Sequence, residues 1–460
     1  MAGGFQGGGH PLNFSSLVNR KTRPDSTCLS RTHVTIHHPF SLNHLIEAIL
    51  HSRRTAFIMI STTMIKKVFP ILALCVFSAT LGIGIISPLL PLYLDEIGAS
   101  GVGLGMIMAS YFISNSLFVP IAGRLSDRKG RKVFITVGLL MYSLIAVGYI
   151  YAMNVVLLSL VRFGMGIAGA MTIPIAIAYL GDLAPEGEEG KWMGYANAFF
   201  FSGFGFGPLI GGVVTDNFGM TAAFLTLISL SLFAFLVALL FLPEVKQRKV
   251  GEQEEGPRLS YREMSASGMI RGLFSFRMAQ SLGRAGIGSF LPIFAAALGM
   301  STSTIGMLIT INILSVTVLS PAGGYAADRF DRRMLTILSS IVFTVILVGI
   351  PFTASFWPLL LLLLVQGLSA AVSMPAATAI TVDEGRKFGM GSTMSVLFLS
   401  QAIGAAVGPI ISGVIYDAIN VNWVFYFGAL MSGIGTALFA WFSRGYRREI
   451  VSPQNGEYRL

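Results

Sequence analysis

Charged side chains are scarce in this chain of 460 residues: Asp, Glu, Lys and Arg make up 12% of it, where an ordinary soluble domain carries about a quarter. With 53% apolar residues, that deficit argues against a string of soluble domains and for lipid as the solvent. Cysteine is nearly missing. Cys28 and Cys75 are the two present, which excludes a disulfide framework and a cysteine metal cluster. Histidine is absent beyond His51, all six (His10, His33, His37, His38, His44, His51) lying near the start. Of the 22 acidic residues none falls in the middle of an apolar run. Asp95, Glu96, Asp216 and Asp417 stand at one end of such runs, Asp182 and Asp383 at the other. No nucleophile–base set, phosphate loop or metal-ligand spacing is found, so the expectation is no enzyme, no cofactor and no metal.

What the chain does have is long apolar runs. Crossing about 30 Å of hydrocarbon takes about 20 residues, and runs of that length occur near 68–94, 102–122, 133–152, 155–181, 191–215 and 219–243. Six more follow near 269–297, 302–325, 334–352, 356–382, 390–417 and 421–443. The expected fold is therefore an all-α membrane protein of twelve transmembrane helices in two six-helix, pseudo-symmetric bundles. The 52 glycines suit helices that pack closely in a bilayer. A fourteen-span topology lacks the residues.

The net charge of +10 does not point to nucleic acid, because the basic residues sit in alternate short loops. Arg124, Arg128, Lys129, Arg131, Lys132, Lys191, Arg329, Arg332, Arg333, Arg386 and Lys387 all lie there, whereas the intervening loops 95–103, 216–221 and 417–423 hold no Lys or Arg. By the positive-inside rule both ends of the twelve-span body are expected in the cytoplasm, in an inner or plasma membrane. Residues 64–245 form the first bundle, 246–268 a polar cytoplasmic linker, 269–445 the second bundle and 446–460 a tail. Residues 1–63 read as a disordered extension or a misassigned start, Met64 with Lys66 and Lys67 resembling a natural beginning. His33 and His37 have helical spacing for a metal pair, but nothing else supplies ligands. Arg53-Arg54 matches a twin-arginine signal only loosely, since the apolar stretch after it is too short.

The two bundles are copies. Gly123-Arg-Leu-Ser-Asp-Arg-Lys-Gly-Arg-Lys132 returns, degraded, as Gly324-Tyr-Ala-Ala-Asp-Arg-Phe-Asp-Arg-Arg333, an offset of 201 residues. The same offset links Gly105 to Gly306, Pro120 to Pro321, Gly166 to Gly367, Pro174 to Pro375, Pro208 to Pro409 and Asp216 to Asp417. A duplicated apolar unit with a basic loop in the same place each time is the layout of a secondary transporter.

Within the loop, Gly123 ends a helix and Asp127 sits in a tight turn among Arg128, Gly130 and Arg131. A carboxylate there can face the positive end of a neighbouring helix and pair with an arginine, latching the halves on one side. Alone, such a loop would be a topology signal. With the repeat, the pattern G-x-L-x-D-R-x-G-R-K between the second and third spans resembles the major facilitator superfamily over about residues 64–445. The resemblance implies that Asp127, Arg128 and Arg131, and in the second copy Gly324, Asp328, Arg329 and Arg332, gate alternating access. Asp331 replaces Gly130 in that copy, which leaves its turn geometry and latch strength open. The resemblance also assigns Arg162, four residues before Gly166, to coupling; its repeat counterpart is Leu363. An anchor at the interface is the competing reading for Arg162.

In the fifth span Gly203, Gly207 and Gly211 line one face, followed by Gly212, and Pro208 bends the helix. Such stripes are usually generic packing, but G-x-x-x-G-P-x-x-G-G resembles a stretch of the superfamily's drug and metabolite antiporters. It recurs around Gly408 and Pro409. Arg277 and Arg284 share one face of the seventh span with Gln280 between them. A charge at that depth costs at least about 3 kcal/mol, so Arg284 should line a pathway. Tyr111, Asn115, Asn197, Asn312, Gln366 and Gln401 are further polar candidates, each taken alone read as an interhelical hydrogen-bond partner ahead of a substrate ligand.

The expected function is alternating-access transport of a small organic solute, with export by proton antiport and a central site between Tyr111, Asn115, Arg277, Gln280 and Arg284 in a monomer. The first alternative is an organic-anion carrier or exchanger that clamps its substrate with Arg277 and Arg284. An arginine-lined interior with no buried acid disfavours a strongly cationic substrate. The second, from another class, is a non-transporting membrane sensor.

Overall fold

The structure is a computed structural model, and it describes residues 42–96, 98–185, 188–244 and 261–445. Expectations for the histidines up to His38, the linker 246–260 and the tail 446–460 lie outside the described residues. So does everything about side chains between 42 and 63. Met1–Thr55 and Ala56–Leu460 are separate units, and the second is the body described below.

Helices follow one another with no strand among the described residues. They are α1 (Leu42–Glu96), α2 (Gly101–Lys129), α3 (Arg131–Ala146), α4 (Gly148–Tyr151), α5 (Val155–Leu183), α6 (Glu189–Phe218) and α7 (Met220–Phe241). After the connection come α8 (Tyr261–Ala266), α9 (Gly268–Ala297), α10 (Thr302–Arg329), α11 (Arg332–Gly349), α12 (Phe356–Phe388), α13 (Met390–Ala418) and α14 (Val421–Phe442). Helical backbone thus reaches back to Leu42, into the stretch read as an extension.

Eleven helices among the described residues are long and apolar enough to cross a membrane. The twelfth expected span, α9, has 30 residues but is too polar by that measure, because Arg271, Arg277, Gln280 and Arg284 lie within it. It crosses among the others all the same. Gly283 meets Gly428 of α14, and Gly404 of α13 meets Met278 and Ser281. Small residues at such crossings let backbones touch, which drives association where lipid removes the hydrophobic incentive.

The duplication is visible at the helix starts. Gly98 (φ +67°) and Gly299 (φ +79°), 201 apart, make the left-handed turns that begin the second helix of each half. Ser100 and Ser301 then cap α2 and α10 by accepting the amides of Gly103 and Thr304. At the charged end the copies differ. Gly130 turns at φ +99°, whereas Asp331 stays at φ −65° and caps α11 through the Met334 amide at 3.0 Å.

We call the end bearing the arginine-rich loops the basic end and the opposite one the far end. Toward the far end the core is shared: Ile86, Leu90 and Leu104 of the first half pack with Phe290, Ile293 and Val424 of the second. Toward the basic end each half keeps its own core, Leu72, Ile135 and Tyr179 in one, Leu273, Ile380 and Phe439 in the other.

Candidate transport pathway

The halves are pinned together at the far end by a two-fold exchange. Asp417, at the end of α13, accepts the amides of Gly101 (2.6 Å) and Val102 (2.9 Å), the first residues of α2. Asp216, at the end of α6, accepts the amides of Thr302 (3.2 Å) and Ser303 (2.7 Å) at the start of α10, and the Ser303 hydroxyl at 2.5 Å. Each carboxylate of one half therefore meets the positive N-terminus of a helix in the other, satisfying amides that have no partner inside their own helix. Glycine makes this approach possible. A Cβ on Gly105 would strike Pro409 backbone, and one on Gly306 would strike Pro208 backbone.

Moving inward, these helices part. On α2 the face carrying Gly101 and Gly105 continues to Phe112 and Ser116, both exposed. On α6 the face of Gly212 and Gly205 continues to Ala198 and Gly194, both exposed. The body is closed at the far end and open toward the basic end.

The glycine stripe of α6 has a different partner from the pathway. Gly203, Gly207 and Gly211 all face α1, at Thr80, Gly84 and Ile85. The proline bend does reach the other half: the Leu209 amide next to Pro208 donates to Thr310 Oγ1 of α10 at 3.1 Å. The equivalent of Thr310 is Ala109, so the second bend, at Gly408-Pro409, has no such hydroxyl. Gly212 lies against Thr302 and Ser303.

The basic loops are tied within their own halves. Arg131 Nε lies 2.9 Å from Asp182 and Arg131 Nη2 3.5 Å from Asp127. Arg332 repeats this with Asp383 at 2.8 Å and Asp328 at 3.5 Å. Arg128 is exposed, Arg329 donates to Tyr325, and around Gly123 and Gly324 a Cβ would find open space. The loop ion pairs of this state thus fasten each loop to the end of the fourth helix of its own bundle.

The five residues expected to share one central site fall into two groups. In the first half Arg162 is 6% exposed, its Nη2 3.0 Å from Met108 Sδ and its guanidinium 5.6 Å from the centre of the Tyr111 ring. Asn115 donates to the Gly166 carbonyl at 3.1 Å. Gly169 leaves the gap in which Tyr111 Oη, Tyr142 Oη and Asn115 Nδ2 converge. In the second half Arg277 reaches Thr381 Oγ1 at 3.3 Å, and Gln280 donates to Ser432 Oγ at 3.1 Å. Arg284 is exposed, with Phe343 below it at 5.8 Å. Asn312 donates to Gln366 and to the Leu363 carbonyl, so these two act as interhelical partners. Gln401 and Asn197 are exposed, and the Gln401 carbonyl accepts the Ser281 hydroxyl. Among the described residues no hydrogen bond, ion pair or ring contact joins Tyr111 or Asn115 to Arg277, Gln280 or Arg284.

Sequence reasoning passed over Glu384, which is 4% exposed and accepts from Ser267 and Lys387 at the basic end of α12. It also missed the capping partners of Asp216 and Asp417. The signal was present: the two aspartates and the two capped starts share the 201-residue offset.

The Major Facilitator Superfamily family model matches residues 72–282 and 273–458. The chain belongs to that superfamily. This major facilitator protein is 30% identical over 381 residues to multidrug resistance protein 1 of Bacillus subtilis, covering 79% of this chain and 94% of that one. It is 26% identical over 361 residues to the quinolone resistance protein NorA of Staphylococcus aureus, covering 77% and 91%. Among solved structures, the fold is similar to a bacterial homologue of the human lysosomal transporter Spinster in an inward-facing, occupied conformation. That match has a TM-score of 0.69 and 16% identity, and covers 84% of this chain and 98% of that one. The protein is thus a multi-pass membrane transporter of a small molecule and not an enzyme.

Proposed function

We propose that this transporter exports a small organic solute, drug-like or metabolic, from the cytoplasm by alternating access in exchange for protons. The reading rests first on the far-end closure, which is two-fold, reversible in kind, and built from contacts between the halves rather than within them. With the basic end assigned to the cytoplasm by the positive-inside rule, the state described is inward-facing, and the pathway lies between the halves of a single chain. In the opposite state the caps at Asp216 and Asp417 open, and the basic loops, now tied to Asp182 and Asp383, become free to latch across the halves. The relatives' names, multidrug resistance and quinolone resistance, support export over uptake and drug-like substrates over nutrients.

Arg162 is proposed as the coupling residue. A buried cation with no carboxylate partner among the described residues is expensive in lipid, and it answers to any change of charge in the first-half cavity. The test is flux in proteoliposomes. A lipophilic fluorescent dye should accumulate against its gradient when the lumen is acid, and Arg162→Leu should abolish that accumulation. Accumulation indifferent to the pH gradient would overturn proton exchange, and a dye that never crosses would favour the sensor reading.

A further inference from the structure

The polar niche beside Arg284 has no counterpart in the first half. It is a cavity of about 10 Å³, room for one water-sized atom, lined by Gln280, Arg284, Ser339, Ser340, Ser369 and Ser373 with Phe343 as its floor. The repeat equivalents are Ala79, Ile83, Gly138, Leu139, Ala168 and Thr172, so the same place in the first bundle is largely apolar.

The niche is rich in donors. Ser369 and Ser340 spend their protons on the carbonyls of Ser339 (2.5 Å) and Thr336 (2.7 Å). The Ser339 and Ser373 hydroxyls have no protein acceptor among the described residues, and neither has the Arg284 guanidinium with its five N–H groups. No carboxylate lines the niche. Arg284 is near the middle of the 30-residue α9, where an uncompensated charge is costly. Its side chain is exposed and lines the niche with residues of α11 and α12. A fixed, exposed cation with unspent donors around an atom-sized hole recognises one oxygen of an anion whose remainder stays outside.

We infer that this niche is the anchoring subsite for an organic monoanion: one carboxylate oxygen sits between Arg284, Ser339 and Ser373, and the body of the ligand lies in the open vestibule. The inference rests on the transporter reading and names the substrate class of its second-half site. Arg277 is not part of it, since Thr381 holds that guanidinium toward the basic end. The arrangement excludes a cation, which Arg284 would repel.

Thermal unfolding of the purified protein in chloride-free buffer tests it, with benzoate, benzyl alcohol, benzylamine and sodium chloride as probes. Benzoate should raise the unfolding midpoint saturably, and its alcohol and amine analogues should not. Arg284→Gln should weaken half-saturation by about tenfold or more, as loss of a charged hydrogen bond implies, whereas Arg277→Gln should leave it within about twofold. Should Arg284→Gln fail to fold, Ser339→Ala with Ser373→Ala removes two of the donors and should weaken benzoate likewise. Equal stabilisation by benzoate and benzyl alcohol, full benzoate binding by Arg284→Gln or by the double serine variant, or no response to benzoate overturns the subsite. Chloride that saturates the niche and excludes benzoate overturns the organic ligand. Dye flux in proteoliposomes separates the two readings: flux without benzoate binding sinks only the subsite, and benzoate binding without any flux sinks only the transport reading.

Discussion

The two halves of this transporter agree at their edges and differ in their interiors. At the far end each contributes one aspartate and one helix start, and the exchange between them repeats at the 201-residue offset down to the capped amides. In the interior the first half has Tyr111, Tyr142 and Arg162 around Gly169, while the second has Asn312, Phe343 and Leu363 at the equivalent positions and adds Arg284 with its serines. Closure between two copies of one unit is met by two equivalent contacts. A substrate has no such symmetry, so the cavity walls were free to diverge.

The comparison is most easily broken at the far end. Gly306→Val or Gly105→Val drives a side chain into Pro208 or Pro409 backbone. Overpacking there costs about 1–3 kcal/mol, enough to shift the conformational equilibrium roughly fivefold or more toward a state open at the far end. Labelling rates of a cysteine placed on the pathway face near the far end should rise accordingly, and similarly for the two variants. The interior gives the next effect. Arg162→Leu installs the second half's residue in the first; gradient-driven flux should fall at least about tenfold while the unfolding midpoint stays level or rises. Removing an unpaired buried charge relieves desolvation. A collapse of stability would instead mark Arg162 as a structural anchor.

Asp216→Asn and Asp417→Asn remove charge-assisted bonds from exposed carboxylates, so each should raise far-end labelling only about threefold to tenfold. A large effect from one and none from the other would refute the two-fold closure. The smallest effect separates the basic loops. Gly130→Ala forces a side chain onto a backbone at φ +99° and toward Glu244, costing about 1–2 kcal/mol. Asp331→Ala loses one cap, about 1 kcal/mol. Both should lower the unfolding midpoint by a few degrees, Gly130→Ala more.

Much of the fold was legible because lipid imposes simple rules. Apolar runs of fixed length, basic alternate loops and a constant repeat offset gave the helices and the correspondence between the two halves without reference to contacts. The seventh span reads at 269–297 as one apolar run among the others, although Arg277, Gln280 and Arg284 pull α9 below the apolarity of its neighbours. For the candidate site the sequence offered a set of residues and no geometry. Arg277 and Arg284 share a face at seven-residue spacing and were natural partners for one clamp. In the structure Thr381, three helices on, takes the first, and the Ser339 and Ser373 niche takes the surroundings of the second. Glycines 203, 207 and 211 read as a packing stripe beside a proline bend, and the structure shows that α1 is the helix they pack on.

By itself the sequence determined that this protein crosses a membrane in helices, that its halves are copies, and that they diverged in charge. Those are properties of spacing and composition, which the bilayer reads locally. Only the tertiary structure decided that Asp216 and Asp417 cap helices of the opposite half and that the body is shut at that end. It also decided that Arg284, not Arg277, faces unspent donors. Each of these depends on which distant helix lies alongside, and no local pattern in the chain encodes that choice.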